Sequence, residues 1–245
     1  MITGICVALP EEIGTLTSRK IDKGCYAFTS DTIVVACSGA GASNAQTASR
    51  LLIEQGAKQL ISWGCAGALS QTLQPGNLVL ADSLIDSNDC TDLNFCVSSD
   101  WHKHAETLLS DFITFQSGKL LESCTIVEKV ADKNRLHSQS GAVALDMESI
   151  AIAKVARENN LPFLAIRVIA DPADMDLPRA INHSLDKEGD IILVKLLLFI
   201  IRHPSELPGL IMLGLHFNAA KKTLRLISKK LELLSKSPKG AFSIT

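Results

Sequence analysis

Acidic residues stand at three places where a short apolar run ends and the chain turns. Glu11 and Glu12 follow ITGICVAL, Asp146 and Glu148 stand between GAVAL and the apolar stretch IAIAKVA, and Asp171 closes LAIRVIA ahead of Pro172. A carboxyl held in a poorly solvated cleft has its pKa raised and carries a proton near neutrality, which would make Asp171 a general acid. Read by local grammar alone, Asp-Pro simply starts a turn. Glu148 is either a first-turn acid favoured by a helix dipole or a binder of vicinal hydroxyls, because an ionised carboxylate accepts two hydrogen bonds. Glu11 and Glu12 read as a solvated helix start or as the source of a base that orients water. Arg167 lies in a strand expected to be buried and so needs a carboxylate partner, for which Asp146 and Glu148 are nearest by topology.

Two glycine segments accompany these acids. In SGAGASNA, residues 38–45, Gly39 and Gly41 leave backbone N–H groups free to approach a ligand at a helix start, or else make a plain tight turn. GCAGAL, residues 64–69, is expected to be a second glycine turn at a strand end. A dinucleotide fingerprint would need a third glycine where Asn44 stands and an acid after the next strand, and WGCAG offers neither. No GxSxG elbow occurs, and His102 and His104 beside Cys90 and Cys96 lack zinc spacing, so neither a serine hydrolase nor a metal site is expected.

The elements that must position these residues read as α/β. Hydrophobic residues make up 47% of the 245 and aromatics only 4%, an aliphatic composition that suits buried parallel strands. Strands are expected over 2–9, 25–30, 32–39, 58–69, 77–86, 119–127, 141–146 and 162–171. Helices are expected after Pro10, over 43–56 with Ser43 as cap, over 101–116 and over 147–160. Parallel strands joined by helices put functional loops at the carboxyl ends of the strands, where Asp146, Asp171 and the glycine segments fall.

From Leu185 the pattern is helical only, with helices expected over 186–202, 205–217 and 218–235 and Pro204 and Pro208 as breaks. The expected organisation is residues 1–184 as one domain, 185–236 as a helical extension of it, and 237–245 as a frayed tail. The run IILVKLLLFII, residues 191–201, is about half a bilayer span and ends at Arg202, so it does not cross a membrane. The net charge of −2 gives no reason to expect nucleic acid, but its distribution is uneven. From residue 221 seven Lys and Arg face one acid, leaving the tail at +6 and the rest at −8. The 186–235 helices are therefore either a cap or an apolar surface for peripheral membrane contact, with the basic helix facing anionic headgroups. Seven cysteines without a CxxC pair read as small buried hydrophobes in a reducing compartment, and no signal peptide is visible, so a cytoplasmic location is expected.

Together, GICVALPEEI, SGAGASNAQTA, GCAGALSQTLQPGNLVLAD, ALDMESIAIAKVA and FLAIRVIADPAD resemble the nucleoside phosphorylase and nucleosidase superfamily, which includes purine and uridine phosphorylases and methylthioadenosine/S-adenosylhomocysteine nucleosidase. The segment from Asp171 to Ile227 resembles hopanoid-associated phosphorylases, which act on adenosylhopane. The resemblance implies a three-layer α/β/α fold with a central mixed, largely parallel twisted sheet and a C-terminal helical extension. It implies a homo-oligomer, a small-molecule nucleoside as partner that is lipid-linked in the closest group, no cofactor, and inorganic phosphate or water as co-substrate.

By the same resemblance Asp171 holds or donates the proton at purine N7 and Glu12 activates water. Glu148 binds the ribose hydroxyls, Met147 packs on sugar or base, and Ser38, Gly39, Cys65, Ala66 and Gly67 lie by the sugar and nucleophile. Asp146 and Arg167 are structural support. Ala170 replaces the Ser that many relatives carry before the acid, and Cys65 stands where a hydroxyl residue is common. ALPEEI lacks the arginine that phosphorylases place in this loop, and SGAGASNA has no cation either, which favours hydrolysis. A methylthioadenosine-type nucleosidase and a non-catalytic nucleoside-binding protein are the alternatives.

Overall fold

The computed structural model of the chain describes residues 1–86, 95–184 and 193–236. The expected tail 237–245 and the start of the expected 186–202 helix lie outside them. In chain order the first half contains β1 (Ile2–Val7), α1 (Pro10–Ile13), β2 (Tyr26–Ser30), β3 (Ile33–Cys37), α2 (Ala42–Glu54), β4 (Ala57–Ala68) and β5 (Leu78–Asp86). The second half contains β6 (Phe95–Cys96), α3 (Ser99–Ser110), β7 (Phe115–Glu122), α4 (Val130–Ser140), β8 (Ala144–Asp146), α5 (Ser149–Glu158) and β9 (Phe163–Asp171). It closes with α6 (Arg179–Ser184), α7 (Leu193–Arg202), α8 (Leu207–Ser228) and α9 (Leu231–Leu234).

All the described strands join one mixed sheet. β1 lies between β3 and β4 with both pairings parallel, and β2 adds an antiparallel edge to β3. β4 pairs parallel with β9 from Leu60↔Phe163 to Gly67↔Asp171, then antiparallel with β8 at Gly67↔Leu145. β5 pairs antiparallel with β9 and β6 and parallel with β7, and β7 pairs parallel with β8. The strands β4, β9, β5, β7 and β8 therefore close on one another as a ring within the expected mixed sheet, five of whose nine pairings are parallel.

Helices cover both faces, because strand side chains alternate. Cys6 of β1 joins a core with Ala48 and Leu52 of α2 and Ile152 of α5. Ile5 and Val7 join the opposite core, with Trp101 of α3, Leu224 and Ile227 of α8 and Leu231 of α9. A fully buried Leu224 or Ile227 contributes about 1.5–3 kcal/mol, so α8 is part of the body rather than an appendage. Hydrogen bonds fix the end of the helical segment: Trp101 Nε1 donates to Leu234 O at 2.7 Å and Gln59 Nε2 to Ser235 O at 2.6 Å.

Several local expectations need correction. GCAGAL is no turn; β4 runs straight through it and changes partner from β9 to β8. The cap of α2 is Gly41, at φ 91°, and Ser43 lies within the helix. The helix after Pro10 is a single turn, and the 101–116 helix stops at Ser110, where β7 soon begins. Pro208 is no break either: it occupies the first turn of α8, where the missing N–H costs nothing, and one helix runs from 207 to 228. Helix α4 was not expected at all. Cys25 and Cys124 are exposed, unlike the buried Cys6 and Cys37.

Candidate active site

Arg167, fully inside the sheet, is the hub of the site. Its Nη2 lies 2.7 Å from Asp146 Oδ2 and 3.4 Å from Glu148 Oε2, so both expected carboxylates reach it. Nη2 also donates to Ser62 Oγ at 2.7 Å, and Nη1 to Cys65 O at 3.3 Å. Ser149 Oγ closes the network by donating to Asp146 Oδ2 and lies 2.9 Å from Ser62 Oγ. A buried guanidinium is tolerated because each of its three nitrogens has an acceptor. Burial works against its charge, yet the field of Asp146, Glu148 and Glu12 outweighs it and holds Arg167 above its ordinary pKa.

Glu12 is buried while Glu11 is exposed, so Glu12 is the one of the pair that reaches the Arg167 network. It sits in the single turn of α1, where Oε2 accepts the N–H of Leu9 at 3.2 Å and Oε1 the N–H of Cys65 at 2.7 Å. Burial pushes its pKa up, partly offset by Arg167. Gly64 allows this approach: a methyl group there would meet Arg167 Nη1 and Glu12 Oε2, each at 2.8 Å.

Glu148 precedes the first turn of α5, and its Oε1 accepts the N–H of Gly41 at 3.0 Å, drawing the SGAG segment to the DME segment. Burial raises its pKa to about 7, with Arg167 opposing and Asp146 adding to the rise. Three carboxylates thus surround one guanidinium. Each Glu148 oxygen keeps lone-pair capacity for a ligand hydroxyl. Ser38 Oγ is turned inward, donating to Gly39 O at 2.7 Å and Val7 O at 3.2 Å. A methyl group on Gly39, at φ 82°, would strike Lys23 Cε at 2.3 Å, so a lysine from the loop before β2 lies across the segment that has no cation of its own.

Asp171 ends β9 beside Gly67, whose added methyl would lie 3.3 Å from Oδ2. Lys133 of α4 faces it. With no accessible surface, its Nζ lies 2.8 Å from Asp171 Oδ1 and donates to Pro172 O and Met175 O at 2.8 Å each. The loop after Asp171 is further clamped to the start of α4, where Asp176 Oδ1 accepts the N–H of Val130 at 2.8 Å. Burial pushes Asp171 up to about 6 and Lys133 limits that rise. Ala170 offers no hydroxyl, so the donor to Asp171 comes from Lys133.

Cys65, Gly67 and Met147 are partly exposed and Ala66 is buried, so β4 and the DME segment form the floor between Glu12 and Asp171. Glu12 bonds Cys65, and Asp171 lies beside Gly67, two residues or about 7 Å further along the strand. The Cys65 thiol is driven well above its usual pKa by burial and by Glu12, which keeps it protonated rather than a thiolate. Sequence reasoning missed Lys133, and also Glu122, whose Oε2 accepts the N–H of Ala151 at 3.0 Å and whose pKa burial and Asp146 raise to about 7. His102 and His104 rest against the backbone carbonyls of Leu80 and Leu233.

Glu12, Glu148 and Asp171 thus gather at strand ends of a mixed α/β sheet, and the family match makes the chain a nucleoside-cleaving enzyme of the phosphorylase type. Residues 4–197 match the phosphorylase superfamily, and the chain belongs to it. The 5'-methylthioadenosine/S-adenosylhomocysteine nucleosidase of Oceanobacillus iheyensis is 25% identical over 215 residues, 77% of this chain and 94% of that protein. The nucleosidase of the same name from Staphylococcus haemolyticus is 24% identical over 226 residues, 79% of this chain and 99% of that protein. Among solved structures, Helicobacter pylori 5'-methylthioadenosine/S-adenosylhomocysteine nucleosidase with butyl-thio-DADMe-Immucillin-A superposes with a TM-score of 0.69 at 19% identity, covering 95% of this chain and 96% of that one. Futalosine hydrolase from the same organism gives 0.68 at 19%, with the same coverage.

Proposed function

We propose that this chain cleaves the N-glycosidic bond of a purine nucleoside with water as nucleophile, releasing adenine. The observation that carries the reading is that Glu12 bonds Cys65 while Asp171 lies beside Gly67, about 7 Å further along β4, with Glu148 held at Arg167. Bond cleavage leaves positive charge on the ribose and negative charge on the base. Asp171, with a pKa near neutrality, holds a proton for the leaving purine. Glu148 binds the ribose hydroxyls and its charge favours the cationic sugar. Glu12, buried and raised, takes the proton of the attacking water. No cofactor has a part in this scheme. A phosphate dianion at the same position would meet Glu12 and Glu148, a repulsion that favours water.

A bulky apolar 5' substituent is our first reading, supported by the apolar surface that Val194, Leu197 and Ile201 expose on α7. The resemblance to hopanoid-associated phosphorylases names adenosylhopane as that substrate. The relatives' names favour a second reading, a small 5'-thio nucleoside. Adenine release from adenosine, methylthioadenosine and 5'-alkyl adenosines of increasing length tests both. We expect kcat/KM to rise with chain length. A preference for methylthioadenosine would replace the lipid-linked reading with the second, and tight binding without release from any of them would make the chain a nucleoside-binding protein.

A further inference from the structure

Eight of the twelve large apolar side chains that the described residues leave exposed lie on α7 and the first half of α8. On α7 Val194, Leu197, Leu198 and Ile201 follow the i, i+3, i+4, i+7 spacing of a single helix face, and Ile201 is 76% exposed. On α8 the exposed face begins apolar, with Ile211 and Leu215, and continues as Lys222 and Arg225, with Lys229 capping the helix end. Leu215 to Lys222 is two turns, about 10.5 Å, so the change from apolar to cationic occurs along one ridge. Among the described residues no carboxylate pairs with Lys222, Arg225 or Lys229. The far half of α8 is anchored by buried Ala220, Leu224 and Ile227 and by Thr223 Oγ1 donating to Gly76 O at 2.8 Å, so the body of the protein holds this ridge in place.

We propose that α7 and the N-terminal half of α8 form a docking surface for an anionic lipid bilayer. The apolar faces enter the headgroup boundary, and Lys222, Arg225 and Lys229 meet the lipid phosphates. Charge decides the occupant: a second copy placed face to face would bring two basic ridges together, whereas an anionic bilayer complements them. No single described helix is long and apolar enough to cross a membrane, and the two helices bend by 108° at their junction, a shape that lies along a surface. The surface does not depend on the proposed reaction.

Co-sedimentation of the full chain with phosphatidylcholine vesicles, with and without phosphatidylglycerol, tests it. Binding is expected with phosphatidylglycerol at low salt, weakened by added salt and absent on phosphatidylcholine alone. Ile211→Asp with Leu215→Asp, and separately Lys222→Glu with Arg225→Glu, should each lower the bound fraction by about tenfold or more. All four positions are exposed, so circular dichroism should be unchanged, and cleavage of a water-soluble nucleoside should stay at the wild-type rate. Failure of the surface is thereby separated from failure of the chemistry. No binding to anionic vesicles at low salt, or equal binding to neutral ones, overturns the proposal. So does a wild-type oligomer that ignores vesicles and becomes monomeric on Ile211→Asp with Leu215→Asp, which would assign the face to a second copy.

Discussion

Replacing Lys133 by methionine removes the ammonium while keeping the length of a side chain that has no accessible surface. At 2.8 Å from Asp171 the gross attraction is about 6 kcal/mol at an effective dielectric of 20, most of it offset by the desolvation of both ions. What survives is the amount by which Lys133 holds the Asp171 pKa down, about 1–3 units for a close opposite charge. Without it the carboxyl titrates well above about 6. The sign of the stability effect follows. Asp171 is raised in the folded state, so folding is favoured by the bound proton and stability falls as pH rises from the unfolded pKa to the folded one. That fall ends near pH 6 in the wild type and continues in the variant. The gap between them therefore widens by roughly 1.4 kcal/mol for each unit of added shift, or about 1–4 kcal/mol in all. Losing the donor to Pro172 O and Met175 O adds about 1–3 kcal/mol that does not depend on pH. Urea unfolding from pH 5 to pH 9 measures both parts. The kcat/KM profile should show its basic limb displaced upward by the same 1–3 units, since that limb reports the protonated acid. A destabilisation that does not vary with pH, together with an unmoved basic limb, would refute the assignment of Lys133 as the group that sets the charge of Asp171.

Gly64→Ala places a methyl group 2.8 Å from the charged ends of Arg167 and Glu12; a loss of about 1–3 kcal/mol in thermal unfolding is expected, with a fall in turnover as Glu12 is displaced. Glu148→Gln keeps the shape but removes the ionised acceptor, so kcat/KM for ribosides should drop at least about tenfold while 2',3'-dideoxy analogues lose much less. Arg167→Met leaves Asp146 and Glu148 buried without their cation and should destabilise by about 3–5 kcal/mol, less at acid pH where the carboxyls take up protons.

The sequence made some of this legible and hid the rest for physical reasons. Arg167 could be assigned its carboxylates because a buried strand cation must have one and two acids ended the neighbouring element. Read from the residues alone, the choice between Glu11 and Glu12 was open; the resemblance named Glu12, and it is the Glu12 carboxylate that faces β4. Lys133 was invisible because VADKNRLHSQS is polar around most of its circumference and reads as surface, and its burial arises from the 172–178 loop folding over α4. GCAGAL looked like a turn because its glycines were read as bends; they are instead the clearance that lets Glu12, Arg167 and Asp171 approach a continuing strand. The closure of β4, β9, β5, β7 and β8 depends on two antiparallel pairings between segments far apart in the chain, which no local pattern encodes. Pro208 misled because proline at a helix start and proline between helices look alike in sequence.

Release of free adenine from a 5'-substituted adenosine in phosphate-free buffer, by the wild type and by Asp171→Asn and Glu12→Gln, tests the central claim most directly. Phosphate-independent release is predicted, reduced about 100-fold or more by either substitution, with the 5-substituted ribose as the second product. Release only when phosphate is supplied, yielding a ribose 1-phosphate and indifferent to Glu12→Gln, would contradict it.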